Sequence, residues 1–294
     1  MRLPFYSFLL TILSLWCVCV SAYGAGPWHW VMSLKGEPSG LPMHVPTSVY
    51  VDPQRARYYV VDSGHNRLLS FDRDGNFLKA FDAMGKLSTP YDMIREQAGV
   101  LWVVERGRNS ITRIELKQRK ITPNIIRTSQ GEPIYPDRII ERDGLFYVLD
   151  KANGDVLVLN RDLVVESHFA CEGCCCGFSD FKLKGNELWA LDQIGRVIYR
   201  FSIEDGRIKQ KTAIGQHVDF PASIAVDKTG NIFVLDRHRG CVAVFDHHGG
   251  LRYRFLRSGE AQGRLHLPSQ IRFDPWGRLL IVDEGNGRVE VFAR

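Results

Sequence analysis

Six short apolar segments, each ending in an acidic residue, recur along the chain. Successive acids lie 42 to 47 residues apart, and the segments before them have the apolar, β-branched composition of buried strands. A repeat of this length implies that each copy is one supersecondary unit that stacks on its neighbours. The repeated acids are Asp62, Glu105, Asp150, Asp192, Asp236 and Asp283.

A second column of residues keeps the same spacing. A proline opens a short predicted strand ahead of five of the acids, and Phe178 takes this place in the fourth copy. After each acid come a polar turn and an alternating strand, such as Leu68–Phe71 in the first copy. Period-two alternation bounded by Gly, Asn and Asp is typical of strands. The prolines are Pro46, Pro90, Pro136, Pro221 and Pro268.

Four short antiparallel strands in about 44 residues are the size of a propeller blade. We therefore predict an all-β fold for residues 26–294, a six-bladed β-propeller of four-stranded antiparallel blades. The last copy stops at Arg294 inside its third strand, whereas Trp28–Lys35 has the length of a fourth strand. We expect this N-terminal strand to pair with Arg288–Ala293 in the C-terminal blade, because an open ring would expose two strand edges.

Three of the copies resemble NHL repeats. The first contains Asp62-Ser63-Gly64-His65-Asn66-Arg67, the fifth contains Val226–Asp236, and the sixth contains Asp283-Glu284-Gly285-Asn286-Gly287-Arg288. The resemblance covers nearly all of the chain after residue 25 and is looser in copies two to four. It implies a six-bladed propeller of the secreted or periplasmic bacterial type, an architecture that both binding proteins and enzymes use.

Residues 1–25 have the pattern of a secretory signal peptide, with Arg2, an apolar stretch over 5–20, and small residues at Ser21 and Ala22. The apolar stretch is shorter than the roughly 20 residues that cross a bilayer, which disfavours an uncleaved anchor. Trp16 and Val18 are unfavourable residues directly before a lipidated cysteine, so Cys17 and Cys19 do not favour a lipoprotein. We expect a periplasmic or secreted protein with no membrane span after signal cleavage.

The net charge of +5 comes from basic residues that are spread along the chain, which is not the footprint of a nucleic-acid-binding protein. Many of them fall in the turns after the repeated acids and so share one face of the propeller. We therefore expect a protein or peptide partner, with acidic groups as one possibility. The turn residues are Arg67, Arg106, Arg108, Lys151, Arg196, Arg237, Arg239 and Arg288.

Two positions after the proline column, every copy carries a polar residue in the strand that borders the channel. Two carboxylates flanking a guanidinium could orient a charged ligand at the channel mouth. The alternative, which we favour, is that these groups solvate the channel and cap the inner strands. The candidate ligand-binding residues are Ser48, Asp92, Arg138, Asp180, Ser223 and Gln270.

The repeated acids are weaker candidates for catalysis. Their presence in every copy favours a structural role, in which each carboxylate accepts N–H groups of the following turn.

Four cysteines cluster between the third and fourth copies, at Cys171, Cys174, Cys175 and Cys176, and Cys241 stands apart. One or two structural disulfides, with Cys241 as a possible partner, are the favoured interpretation in an oxidising compartment. A metal site completed by a residue such as His168, and a redox or covalent-attachment site, remain open.

Enzymatic and binding functions are both compatible with the resemblance. Amidating lyases of this repeat class use channel-facing histidines on zinc, and the channel column here has none. Gluconolactonase-like propellers hold a divalent cation between acidic and amide side chains, which Asp92 and Asp180 could supply, although Arg138 would repel the ion.

We therefore assign no catalytic residue and no cofactor, with a divalent cation left open. The favoured function is a non-catalytic envelope or extracytoplasmic binding or scaffold protein that presents its loop-rich face to a protein, peptide or small ligand. The alternative is a metal-dependent lyase or lactonase-type hydrolase acting at the channel mouth. A divalent cation bound at Asp92 and Asp180 would discriminate in favour of the enzyme.

Overall fold

The computed structural model describes residues 27–38, 40–96, 98–171 and 173–294. The predicted signal peptide lies outside these residues. The described chain forms six sheets of four antiparallel strands, arranged as a ring of blades. Three single-turn 3-10 helices are the only helical segments described, at Ser63–His65, Ala83–Gly85 and Glu284–Asn286. None of the described helices is long and apolar enough to cross a membrane.

Each blade is a meander that runs from an inner strand at the channel to an outer strand. Blade 1 contains β2 (Pro46–Asp52), β3 (Arg57–Asp62), β4 (Arg67–Asp72) and β5 (Phe77–Phe81). Blade 2 contains β6 (Pro90–Arg95), β7 (Val100–Glu105), β8 (Ser110–Glu115) and β9 (Lys120–Asn124). Blade 3 contains β10 (Pro136–Arg142), β11 (Leu145–Asp150), β12 (Val156–Leu159) and β13 (Val165–Phe169).

The second half of the ring follows the same plan. Blade 4 contains β14 (Asp180–Lys184), β15 (Glu187–Asp192), β16 (Val197–Ser202) and β17 (Ile208–Ala213). Blade 5 contains β18 (Pro221–Val226), β19 (Ile232–Asp236), β20 (Cys241–Phe245) and β21 (Leu251–Phe255). Blade 6 contains β22 (Gln270–Phe273), β23 (Leu279–Asp283), β24 (Arg288–Ala293) and β1 (His29–Leu34).

The N-terminal strand closes the ring, which confirms the expected pairing. β1 is the outer strand of blade 6 and lies antiparallel to β24, with His29 opposite Ala293 and Leu34 opposite Val289. Side chains reinforce this pairing, since Trp30 Nε1 and Ser33 Oγ both donate to the buried carboxylate of Glu290, at 2.8 and 2.6 Å. The last blade is therefore complete only when both ends of the chain are in place.

The hydrophobic core lies between neighbouring blades. The cluster that joins blade 6 to blade 1, for example, combines Leu34 and Val289 with Val49 and Tyr58. Apolar side chains on both faces of the middle strands are buried, because each middle strand is covered by a blade on either side. The inner strands, which border the channel, carry buried polar side chains instead.

The repeated acids tie each blade to the connection that enters it. Five of them accept a backbone N–H from a residue one or two positions before the proline column. The sequence predicted a structural role with the following turn as donor, and Asp150 and Asp236 also accept such turn N–H groups, from Ala152 and His238. The five bonds that hold the entering connections run from His44 to Asp62, from Ser88 to Glu105, from Tyr135 to Asp150, from Asp219 to Asp236 and from His266 to Asp283, at 2.6–2.9 Å.

Asp192 in blade 4 is the exception. It accepts the N–H of Gly195 in the following turn at 2.8 Å, and in the described chain it accepts none from the connection that enters its blade. That connection is the cysteine-rich segment.

A bulge follows the proline in blades 1, 2, 3 and 5. The register between the inner strand and its neighbour shifts across one residue there, as between Pro46 and Ser48. Blades 4 and 6 differ from the expectation, because their inner strands begin at Asp180 and Gln270, two residues beyond Phe178 and Pro268. A bulge re-aims the side chains beside it, and this bears on which residues face the channel opening.

Ring closure can be tested with Leu34→Ala. Leu34 is fully buried between blades 6 and 1, so we expect the substitution to lower the free energy of unfolding by about 2–5 kcal/mol. Leu78→Ala, in the outer strand of blade 1 where the side chain is 42% exposed, is the matched control and should stay within about 0.5 kcal/mol. Urea unfolding measures both, and equal effects would contradict a closing role for β1.

Candidate functional site

The structure brings the six predicted channel residues together in one buried ring. Each lies in the inner strand of its blade, and none is more than 6% exposed. The ring lies one layer below the channel opening. The residues are Ser48, Asp92, Arg138, Asp180, Ser223 and Gln270.

Four members of the ring join neighbouring blades. The inner strand of a blade has a free edge, and its N–H groups need acceptors because water reaches this edge poorly. In these four blades the ring side chain accepts the N–H of the residue that follows the ring position in the next blade. The bonds are Asp92 from Ile139, Asp180 from Ile224, Ser223 from Ile271 and Gln270 from Val49, at 2.9–3.2 Å.

Arg138 departs from this pattern because a guanidinium has no acceptor. Its Nη1 donates to the carbonyl of Thr47, two blades away, at 3.1 Å, and its charge lies 4.6 Å from the centre of the Tyr91 ring. It is the only ring member among the residues that line both cavities at the centre of the propeller. Arg138 therefore forms the boundary between them.

The cavity above Arg138 is a funnel of about 620 Å³ to which all six blades contribute. Its floor is formed by the residues directly after the proline column, which in blades 1, 2, 3 and 5 lie at the bulge. Sequence reasoning missed this ring, because a bulge cannot be recognised from a pattern that assumes strict alternation. The floor residues are Thr47, Tyr91, Asp137, Ser179, Ala222 and Ser269.

The wall of the funnel is basic, but its charges are largely paired. Arg106 donates to Asp137 and stacks on the Tyr91 ring. Arg237 makes a two-pronged bond to Glu284, at 2.9 and 3.1 Å.

Lys151 completes the wall. It is 61% exposed and lies 3.9 Å from Asp137. Of the funnel's cations it is therefore the one best placed to meet a charge on a ligand.

The cavity below Arg138 has a volume of about 170 Å³ and is lined by charged groups. Lys182 donates to both carboxylate oxygens of Asp180, at 2.7 Å. Burial lowers the pKa of Lys182 and of Arg272, and the neighbouring Asp180 and Asp92 partly oppose this effect. Burial raises the pKa of Asp92, against the influence of Arg138 and the backbone N–H of Ile139.

The two acids of the ring are poorly suited to hold a divalent cation. Asp92 uses both oxygens on the N–H groups of Met93 and Ile139, at 2.9 and 3.1 Å. Asp180 is engaged by Lys182, Ser223 and Ile224. The lysine and two arginines around them would repel a further cation. Neither cavity has a histidine among its described lining residues.

The cysteine segment forms one side of the funnel. Cys171 and Cys174 form a disulfide, with their Cα atoms 5.5 Å apart. Cys175 and Cys176 are exposed free thiols whose sulfurs are 3.5 Å apart, and Cys176 lines the funnel. Cys241 is free and buried in β20, so the alternative of a bridge to Cys241 is not adopted.

A metal site at the cysteines would have to use different partners from those expected. Within the described chain, Cys171, Cys174 and Asp192 have potential ligand atoms within 4.8 Å of one another, close enough to share a metal ion. His168 is not among them. Asp192, the acid that lacks the loop bond of the other five, therefore lies beside the Cys171–Cys174 pair.

The ring bonds can be tested with Asp180→Ala. The substitution removes the acceptor for Ser223 and Ile224 and leaves Lys182 without its counter-ion, so we expect a loss of about 3–5 kcal/mol in the free energy of unfolding. Asp162→Ala, on an exposed turn, is the control and should leave stability unchanged. Chemical denaturation compares the two, and a fully stable Asp180→Ala protein would show that the ring does not join the blades.

Thiol labelling tests the cysteine assignment. An alkylating reagent should modify Cys175 and Cys176 in the native protein, and Cys171 and Cys174 only after reduction. Cys241 should react only on unfolding, because burial raises its pKa to about 11 and excludes the reagent. Peptide mass spectrometry assigns each site. Rapid labelling of Cys171 without reductant would rule out the disulfide.

Comparison with known proteins agrees with this architecture. The NHL repeat family matches residues 219–245, which contain the first three strands of blade 5. No curated protein matches the chain.

Solved structures match over most of the chain at low identity. A streptogramin B lyase is 14% identical, with a TM-score of 0.67 over 90% of this chain and 97% of its own. A gluconolactonase from Xanthomonas campestris is 17% identical, with a TM-score of 0.67 over 94% and 92%. A catalytically inactive histidine-to-alanine variant of virginiamycin B lyase from Staphylococcus aureus, solved with quinupristin, is 16% identical, with a TM-score of 0.62 over 85% and 80%. These likenesses establish the fold. The chain is a six-bladed β-propeller, and the segment that is similar to the NHL repeat lies in its fifth blade.

Proposed function

We propose that the protein is a non-catalytic binding module of the extracytoplasmic space and that its funnel face binds a protein or peptide partner carrying apolar and acidic side chains. The extracytoplasmic location rests on the signal-peptide pattern of residues 1–25. The proposal for the face rests on how exposed apolar side chains are distributed over the molecule.

Exposed apolar side chains are concentrated on the funnel face. In an antiparallel meander, the connections that enter the inner strands and the turns after the second strands lie on one face. Of eleven large apolar side chains exposed in the described chain, seven are on these segments. Exposed apolar groups that gather on one face of a soluble protein mark an interaction site. The seven are Leu41, Val45, Met84, Ile125, Tyr135, Ile194 and Leu267.

The charge of the same face suggests the polar character of the partner. Lys151 and the partly exposed Arg106 and Arg237 surround the funnel beside Tyr91, Phe178 and Phe220. Aromatic and arginine side chains are the residues most enriched at the centres of protein interfaces. An acidic side chain of a partner would complement Lys151 with little rearrangement.

The enzymatic alternative has less support. The low-identity lyase and lactonase structures share the fold, and a shared fold does not carry a shared reaction. Cation-dependent chemistry at the ring would require Asp92 and Asp180 to give up their hydrogen bonds. We therefore favour binding over metal-dependent catalysis.

A pair of matched variants tests the proposed face. Ile194 in the funnel and Val164 in the β12–β13 turn on the opposite face are both 57% exposed. We expect Ile194→Asp to lose a partner that the wild type captures from the native envelope fraction, because it places a charge among the exposed apolar side chains of the funnel face. Val164→Asp should retain it.

Quantitative mass spectrometry of the captured proteins is the measurement. Lys151→Glu should weaken binding of the same partner and reverse the preference of the funnel for acidic ligands. The proposal would be abandoned if Ile194→Asp and Val164→Asp captured the same proteins in the same amounts. Turnover of a lactone or a macrocyclic ester that required Asp92 and Asp180 would support the enzyme instead.

A further inference from the structure

Two guanidinium groups in the lower channel lack a carboxylate at contact distance. Arg138 and Arg272 both line the cavity below the ring, and the described chain contains no salt bridge within 4 Å for either. Their only hydrogen bonds are those from Nη1 to the carbonyls of Thr47 and Val49, at 3.1 and 2.6 Å. The other guanidinium N–H groups have no described acceptor.

Part of this donor set is completely enclosed. The Nε atoms of Arg138 and Arg272 are buried and have no hydrogen-bond partner. Buried polar groups in proteins are almost always hydrogen-bonded, and an arginine that is not so bonded points to a bound water or ion. The Nε of Arg95, on the same lining, also lacks a hydrogen-bond partner, but Arg95 has the carboxylate of Asp52 at 3.7 Å. Arg138 and Arg272 are therefore the two arginines of the cavity whose donors point to a bound group.

The charges around the cavity do not balance. The lining has four basic side chains, Arg95, Arg138, Lys182 and Arg272, and three acidic ones, Asp92, Glu141 and Asp180. Asp92 and Asp180 already accept backbone N–H groups, Asp180 is also held by Lys182, and Glu141 accepts from Arg161. One excess positive charge therefore remains in a region where charge is costly to leave unpaired.

We propose that the lower channel is a binding site for one small oxyanion, a carboxylate or inorganic phosphate, held by the guanidiniums of Arg138 and Arg272 with Lys182 adding charge. The planar fork of a guanidinium matches the paired oxygens of both groups. The cavity of about 170 Å³ has room for several waters or for one such ion. The site is separate from the funnel, because Arg138 lies between the two cavities.

The choice of an anion also follows from the alternatives. A divalent cation would be repelled by Arg138, Lys182 and Arg272, and the carboxylates of Asp92 and Asp180 already accept hydrogen bonds. Water alone would satisfy the N–H groups and leave the excess charge. An oxyanion satisfies the donors and the charge together.

Titration with inorganic phosphate and with acetate, each monitored by calorimetry and by thermal unfolding at constant ionic strength, tests the site. We expect saturable one-to-one binding of at least one of these probes, with Tm rising as that probe is added. Preference between the two identifies the source of the oxyanion. Arg272→Gln should weaken binding at least about tenfold.

Two further variants keep the outcome clear. Arg272→Lys retains the positive charge and loses the fork, so it should fold and bind more weakly than the wild type. Arg252→Gln, at a 53% exposed arginine of β21 that pairs only distantly with Asp246, is the matched control and should bind as the wild type does.

The proposal is overturned if neither probe binds, if both stabilise wild type and Arg272→Gln equally, or if Ca²⁺ or Mg²⁺ binds in their place. These results do not depend on the funnel, because Ile194→Asp should leave anion binding intact.

Discussion

The free inner edges of the blades are the constraint on which the centre of this protein depends. Each inner strand has N–H groups at its free edge, and in four of the six blades a side chain of the preceding blade accepts one of them. Asp92, Asp180, Ser223 and Gln270 thus act as connectors between sheets that share no backbone ladder. These four side chains are polar because they accept backbone N–H groups, and a ligand is not required to explain their polarity.

The connections around the channel opening are also held by side chains that bond backbone N–H groups. Five repeated acids each hold the connection that enters their blade, so the loops of the funnel face are fixed where they meet the inner strands. The fourth blade gives up this bond where the cysteine segment enters. This exception lies beside a disulfide and two free thiols, of which Cys176 lines the funnel.

The fold could be predicted from the sequence because repetition is visible without structure. Two residue columns at a constant interval identified the blades, and the missing fourth strand of the last copy pointed to the closing strand at the N-terminus. The site was predicted less well. The sequence predicted the ring of polar residues from Ser48 to Gln270, but it did not predict that this ring lies beneath the funnel floor. The bulges that place Thr47 and Tyr91 on that floor cannot be recognised in an alternating sequence pattern. Lys182 and Arg272 were also missed. They are ordinary strand residues by sequence, and only the convergence of blades 4 and 6 on one channel brings them together.

Closure by β1 has a consequence for the order of events during synthesis. The partner of the first described strand is the last strand of the chain, more than 250 residues later. A growing polypeptide can therefore complete five blades while the sixth waits for its final residues, and during that interval two strand edges stay available to other chains. Protection from aggregation at this stage would have to come from outside the molecule, so the newly made protein is most vulnerable in the moment before its last strand is released.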